Sequence, residues 1–439
     1  MSRDATKAVS TDAPVGRRPF TRGQVLAWGL WDWGSAAYQA VILTFVFSVY
    51  LTDAVGADLE GPVSANSWLG WSIGAAGLLI ALLAPVVAQR ADAAGRRKRA
   101  VVVWTAVTIV TMAALWFVED DAAFLPLGLV LLGLGSIFFE LASVSYNAVL
   151  TQVSTPETVG RISGFGWAMG YLGGIVLLLI AYVGFIAGDG GLLGLPTEGG
   201  LNIRAVALVA AVWFLLFAIP LVVAVPEVPP VPGRGRAPGL VESYRILFRD
   251  LRALYRESPH TVYFLGASAL FRDGLAAVFT FGAVLAVTVY GIAQDDVLLF
   301  GVAANVVAAA GALAGGFLDD RIGPKLVIVG SLAAMIAVGL ALLALSGPTA
   351  FWVFGLALAT FVGPAQSSAR TFLARLAPPG REGQLFGLYA TTGRAVSFLA
   401  PTLVGLFTFL FASDRAGIVG IVLVLAAGLL ALLPVRAPR

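Results

Sequence analysis

Twelve segments of this chain are apolar over lengths that can cross a bilayer, and nothing else in the sequence restricts the fold as strongly. They run near 25–52, 64–89, 100–118, 122–151, 163–188 and 203–225, then 259–290, 297–318, 326–346, 349–376, 385–411 and 414–434. A span needs roughly 20 residues of helix, and several segments exceed that, so tilted or kinked helices are expected. The chain is 59% hydrophobic and 12% charged with a mean hydropathy of +0.90. A soluble domain carries about a quarter charged residues. Cysteine is absent, which excludes disulfides and thiolate metal sites, and one histidine, His260, cannot assemble a metal cluster with anything visible. No cofactor or metal is expected. The polar, basic first 24 residues lead into an apolar stretch that outruns a signal-peptide core and lacks a cleavage site. That stretch reads as an uncleaved first helix. Arginine outnumbers lysine 25 to 3, which reads as high-GC codon usage and hints at a bacterial source, and the expected location of such a multi-pass chain is the inner (plasma) membrane.

Orientation follows from the basic residues of the short connections. With the N-terminus inside, cytoplasmic segments hold 23 of the 28 arginines and lysines, and outer connections hold only Arg204 and Arg415. Both termini are therefore expected in the cytoplasm. Between the sixth and seventh spans, PEVPPVPGRGRAPG lacks apolar periodicity and reads as a linker. In Leu240–Arg256 which follows, Leu240, Tyr244, Leu247, Phe248, Leu251 and Tyr255 share one helical face opposite arginines. Such a helix lies on a membrane surface. The expected organisation is a tail (1–24), an N-terminal six-helix bundle (25–225), a linker with a surface helix (226–258), a C-terminal six-helix bundle (259–434) and a short tail (435–439).

The two halves also share a loop. After the second span come Ala88, Asp92, Gly95, Arg96 and Arg97, and after the eighth come Gly316, Asp320, Arg321, Gly323 and Lys325. Each copy places an acid, a glycine three residues on, and a basic group at matching points, as a two-repeat transporter would. The second copy matches G-x-x-x-D-R-x-G-x-[RK] throughout, and with the twelve-span layout the chain resembles the major facilitator superfamily. In that superfamily the loop helps latch the halves on the cytoplasmic side. The first copy departs from it, with Ala88 and Ala93 in place of glycine and arginine, and the departure implies a weaker first latch. Within the superfamily the chain is similar to the "unknown major facilitator" family, relatives of the fungal vacuolar amino-acid effluxer. The matching stretches are Trp31–Ser35, Tyr146–Ala148, Gly160–Tyr171, Arg272–Gly274, Gly363–Gln366 with Arg370, and Phe386–Tyr389. The resemblance implies an all-α polytopic fold of two six-helix bundles around a central cavity, working by alternating access.

Charged groups inside spans are costly and mark functional paths or structural pairs. Here they are Asp32, Glu140 and Asp273 with Arg272, Arg370 and Arg394. At 1.5 Å per residue Asp32 lies roughly 12 Å deep, Arg272 and Asp273 about 20 Å, and Arg394 about 15 Å. Glu140 lies near the middle of its span. Arg370 is some six residues from the cytoplasmic end, which suits a latch or a snorkelling surface arginine. Candidate substrate or coupling residues are Trp31, Asp32, Trp33, Gln39, Glu140, Asn147, Arg272, Asp273, Gln366 and Arg394. Candidate gating residues are Asp92, Gly95, Arg96, Arg97, Gly316, Asp320, Arg321, Gly323, Lys325 and Arg370. The alternative for each buried charge is a pair that only holds helices together. Acids of the N-terminal half facing arginines of the other half would suit a zwitterion or small anion. A desolvated acid could also carry a proton.

Glycines four residues apart, Gly70/Gly74, Gly166/Gly170/Gly174, Gly311/Gly315 and Gly383/Gly387, let helix backbones approach closely. The resemblance implies that their spans, two, five, eight and eleven, form the seam between the halves, and generic close packing is the alternative. The sequence thus reads as a proton-coupled secondary transporter of a small polar solute, acting as a monomer in the bilayer without nucleic-acid partners. A non-transporting receptor, or a facilitator of a sugar or other neutral solute, is the alternative. No phosphate-binding loop or metal-ligand spacing supports an enzyme.

Overall fold

The computed structural model describes residues 20–60, 62–227, 240–292, 294–378 and 380–436. Most of the expected N-terminal tail, the Pro/Gly-rich linker from 228 to 239 and the last three residues lie outside these. Spans one to six are Arg22–Val55, Ala65–Ala93, Arg97–Phe117, Ala122–Gln152, Val159–Ile186 and Glu198–Ala224. Spans seven to twelve are Pro259–Gly282, Leu299–Ile322, Pro324–Ala344, Pro348–Leu376, Glu382–Phe411 and Asp414–Leu432. Their starts carry ordinary capping chemistry. Thr21 and Gln24 form a capping box on span one, Ser64 caps span two, and Pro259, Pro324 and Pro348 stand in the first turn of spans seven, nine and ten.

The glycines of the two duplicated loops have a backbone reason to be there. Gly95 and Gly323 hold φ of +61° and +88°, a region where a β-carbon is strained. Each glycine reverses the chain between one span and the next.

Spans one and eleven are interrupted along their length, and span five widens to a π-helix at its far end, Tyr182–Ile186. Span one is α-helical over Arg22–Ala36, widens to a π-helix over Ala37–Phe45 and breaks at Val46. Span eleven is helical over Glu382–Val396, turns at Ser397 and Phe398, and resumes over Leu399–Phe411. Wide turns and breaks of this kind concentrate at functional sites.

Spans one to six pack as one bundle and seven to twelve as a second, with spans five and eight, and two and eleven, meeting across the seam. The seam is closed at one end only. At the face carrying the termini, a β-carbon on Gly164 would strike the Ala312 backbone, one on Gly316 would lie 2.7 Å from the Gly160 carbonyl, and one on Gly387 2.6 Å from Pro85. Toward the far face, Gly70 and Gly74 have nothing within 4 Å, and Trp68 and Trp71 beside them are exposed. The structure is therefore clamped at the terminal face and splayed at the other.

That geometry corrects the expected glycine seam. Gly383 and Gly387 do meet span two, but Gly311 and Gly315 pack on Thr360 and Pro364 of span ten, inside their own half. Gly170 and Gly174 face span one, also inside their half, and only Gly166 of that run touches a residue of the other half, Arg370. The close approaches between spans five and eight belong to Gly160, Gly164 and Gly316. Four-residue spacing reports a face of small residues; it does not say which neighbour that face meets.

Candidate functional site

At the terminal face the duplicated loops act as two mirrored latches. Asp92 pairs with Arg97 at 2.5 Å and accepts the Gln384 amide at 2.9 Å, while Arg97 also pairs with Glu382 of span eleven. Asp320 accepts the Gly160 and Arg161 amides at 2.9 and 3.1 Å and lies 3.4 Å from the Arg161 guanidinium and 3.5 Å from that of Arg375. In each case a loop acid sits on the first turn of a helix in the opposite half, where free amides and the helix dipole favour an anion. The first latch, expected to be the weaker, is the more buried of the two. Asp92, Arg97 and Glu382 are all buried, whereas Arg161 of the second latch is half exposed. Arg97 joins the loop acid Asp92 to Glu382 of the opposite half in one ion-paired group. Of the other motif residues, Lys325 caps the Leu433 carbonyl at 2.6 Å, and Arg96 and Arg321 lie exposed.

Deeper in the seam, two acid–arginine pairs join the halves. Arg370 of span ten enters the N-terminal bundle and meets Asp32 at 3.3 Å, with side-chain exposures of 6% and 17%. Arg370 also donates to Asn147 Oδ1 at 3.2 Å, to Ser163 Oγ at 2.9 Å and to the Ser163 carbonyl at 2.5 Å. Tyr146 donates to the same Asp32 oxygen at 2.9 Å, and the guanidinium lies 4.9 Å from the Trp28 ring. The snorkelling reading of Arg370 is thereby corrected. Hydrogen bonds and an aromatic face inside the protein replace the water it would otherwise seek. The second pair, Glu140 with Arg394 of span eleven at 3.1 Å, is more open, with exposures of 19% and 35%.

Glu140 and Arg394 border a cavity of about 190 Å³, with Tyr38, Gln39, Leu43, Thr44, Ser136 and Phe139 completing its wall. Four of these belong to the π-helical stretch of span one, so the wide turn presents Tyr38, Gln39, Leu43 and Thr44 to the cavity. Tyr38 is held by the Leu132 carbonyl and Ser136 hydroxyl, both at 2.9 Å.

Several expected site residues lie elsewhere. Trp31 is buried in the N-terminal bundle, stacked on Tyr146 and bonded to Thr105 at 3.0 Å, and Trp33 packs on Trp213 and Phe217. Neither borders the cavity. On a helix, neighbours of Asp32 point about 100° away from it. Asp273 accepts the Ala400 amide at 2.6 Å, and Arg272 donates to the Tyr389 carbonyl at 3.0 Å and lies 3.8 Å over that ring. Gln366 is half-buried one turn from Arg370. Sequence reasoning missed Trp28, Ser163 and Glu382. Nothing about an isolated serine or tryptophan announces a guanidinium partner from another bundle.

With this geometry in hand, the chain's relatives can be placed. A profile of the family described as "Vacuole effluxer Atg22 like" matches residues 51–439. The chain belongs to the Atg22-like family. It is 23% identical over 418 residues to the uncharacterized MFS-type transporter YxiO of Bacillus subtilis, covering 94% of each. Autophagy-related protein 22-1 of Aspergillus fumigatus is 26% identical over 282 residues, which span 58% of this chain and 44% of the fungal protein. In structure the chain resembles the major facilitator transporter FucP in its outward conformation, with a TM-score of 0.73, 12% identity, and coverage of 94% and 99%. Family and fold make this Atg22-like chain a multi-pass membrane transporter of the major facilitator type and not an enzyme. Among the described residues no cluster of three metal-ligating side chains occurs.

Proposed function

We propose that this transporter moves a small zwitterionic solute, an amino acid or close analogue, through the Glu140–Arg394 cavity by proton-coupled alternating access. The carrying observation is that both deep pairs put the acid on the N-terminal half and the arginine on the C-terminal half. A solute bearing one ammonium and one carboxylate matches each partner of Glu140–Arg394 when the halves separate around it. Parting Asp32 from Arg370 leaves a buried acid without its counter-charge, and taking up a proton relieves that cost. The basic residues of the terminal face make it the cytoplasmic one in a bacterial inner membrane, and the described state then faces outward.

The test begins with a thermal-shift screen of amino acids, dipeptides, sugars and organic anions, followed by counterflow of any hit in proteoliposomes. Glu140→Gln and Arg394→Gln should abolish exchange of the hit, and Asp32→Asn should remove its dependence on a pH gradient. Stabilisation by neutral sugars alone would overturn the zwitterion reading. Gradient-driven flux unchanged in both acid variants would overturn the coupling. A ligand that binds without counterflow would make the chain a receptor.

A further inference from the structure

The break in span eleven lies where that helix leaves the opposite half. Its first part, Glu382–Val396, packs on span seven of its own half and also on span two of the opposite half, through Gly383 against Asp92 and Gly387 against Pro85, and Thr391 donates to the Ala81 carbonyl at 2.9 Å. Its second part, Leu399–Phe411, packs on spans seven and twelve of its own half. A β-carbon on Gly420 would lie 2.6 to 3.0 Å from the Leu403–Val404 backbone, and one on Gly428 2.6 to 2.9 Å from Phe271. One helix therefore joins two bodies, with Ser397 and Phe398 as the joint.

Two consecutive residues of span seven grip that joint from both sides. Arg272 holds the first part through the Tyr389 carbonyl and ring, and its Nη1 would lie 3.0 Å from a β-carbon on Gly393. Asp273, buried, takes the Ala400 amide, one of the orphan donors that open a new helix. Neighbouring residues on a helix diverge by about 100°, and here the divergence straddles the break. Arg394 stands between the two grips and points at Glu140.

We propose that Arg272 and Asp273 are positioning residues that staple span eleven at its break. They make its second part move with span seven as one leaf of the far face and set where Arg394 meets Glu140. This role goes beyond the transport reading and holds whichever solute is carried.

The chain has no cysteine, so paired spin labels on introduced cysteines report it directly. Labels at Val353→Cys and Phe409→Cys, both on exposed residues of the C-terminal half, measure the second part of span eleven against its own bundle. Labels at Glu157→Cys and Leu326→Cys measure closure at the terminal face. In detergent without solute, the Val353–Phe409 pair should give one narrow distance in the parent. Asp273→Ala should broaden or shift it, Arg272→Gln should do so less, and Asp273→Asn, which keeps an oxygen for Ala400, should restore it. The terminal-face distance should be the same in all. A Val353–Phe409 distribution unchanged in Asp273→Ala would overturn the proposal, as would equal broadening of the terminal-face pair. Should Asp273→Ala fail to give folded protein, the Arg272→Gln distances decide on the same criteria. Because no transport is measured, the result is separate from the fate of the zwitterion reading.

Discussion

Asp32–Arg370 and Glu140–Arg394 have the same polarity across the seam and similar separations, 3.3 and 3.1 Å, yet they are different objects. The first is embedded: Arg370 has protein acceptors at Asn147 and Ser163, an aromatic ring beneath it, and little exposure. The second has a cavity beside it and an arginine one-third exposed. A buried ion pair loses hydration on both partners and leaves an uncompensated charge if one is removed, whereas a solvated pair is worth little by itself. Asp32–Arg370 is enclosed by protein partners of both halves, and Glu140–Arg394 has open space beside its charges.

Breaking the embedded pair is expected to have the largest effect. Arg370→Ala should cost about 3–5 kcal/mol by the stranding of Asp32, read as unfolding in detergent. Asp32→Asn combined with Arg370→Gln should recover most of it, and a double variant as unstable as the single would mean the two are not coupled. Next comes the seam that holds both pairs in register. Gly164→Leu cannot close against Ala312, so it should raise maleimide labelling of a single cysteine at the terminal face while insertion is retained. Parent-like labelling would place the clamp elsewhere. Glu140→Gln should change stability by no more than about 1 kcal/mol and still remove solute exchange; a stability loss matching that of Arg370→Ala would erase the distinction between the pairs. The smallest effect is expected at Trp33→Phe, which should leave solute affinity unchanged because Trp33 lies against Trp213 and Phe217.

The acids and arginines themselves were legible, because a charge in an apolar span stands out against its neighbours. Their partners were not. Six residues from a span end placed Arg370 at the surface by arithmetic of depth, but its side chain turns inward to Ser163 and Asp32, on two helices of the other half. Arg272 and Asp273 are as deep as a central site requires, and both are taken up by span eleven instead. Depth along a helix can be counted from sequence, whereas direction around the bundle depends on which neighbour each face meets.

Sequence alone determined the twelve spans, the duplicated halves and their matching loops, since continuous apolar segments of this length satisfy their backbone groups in hydrocarbon as helices and the loop glycines adopt positive φ. Tertiary structure alone decided which acid meets which arginine, which glycines form the seam, and that the terminal face is closed while the far face stands open. Those outcomes depend on contacts between residues up to 338 positions apart, and no local pattern encodes such a meeting.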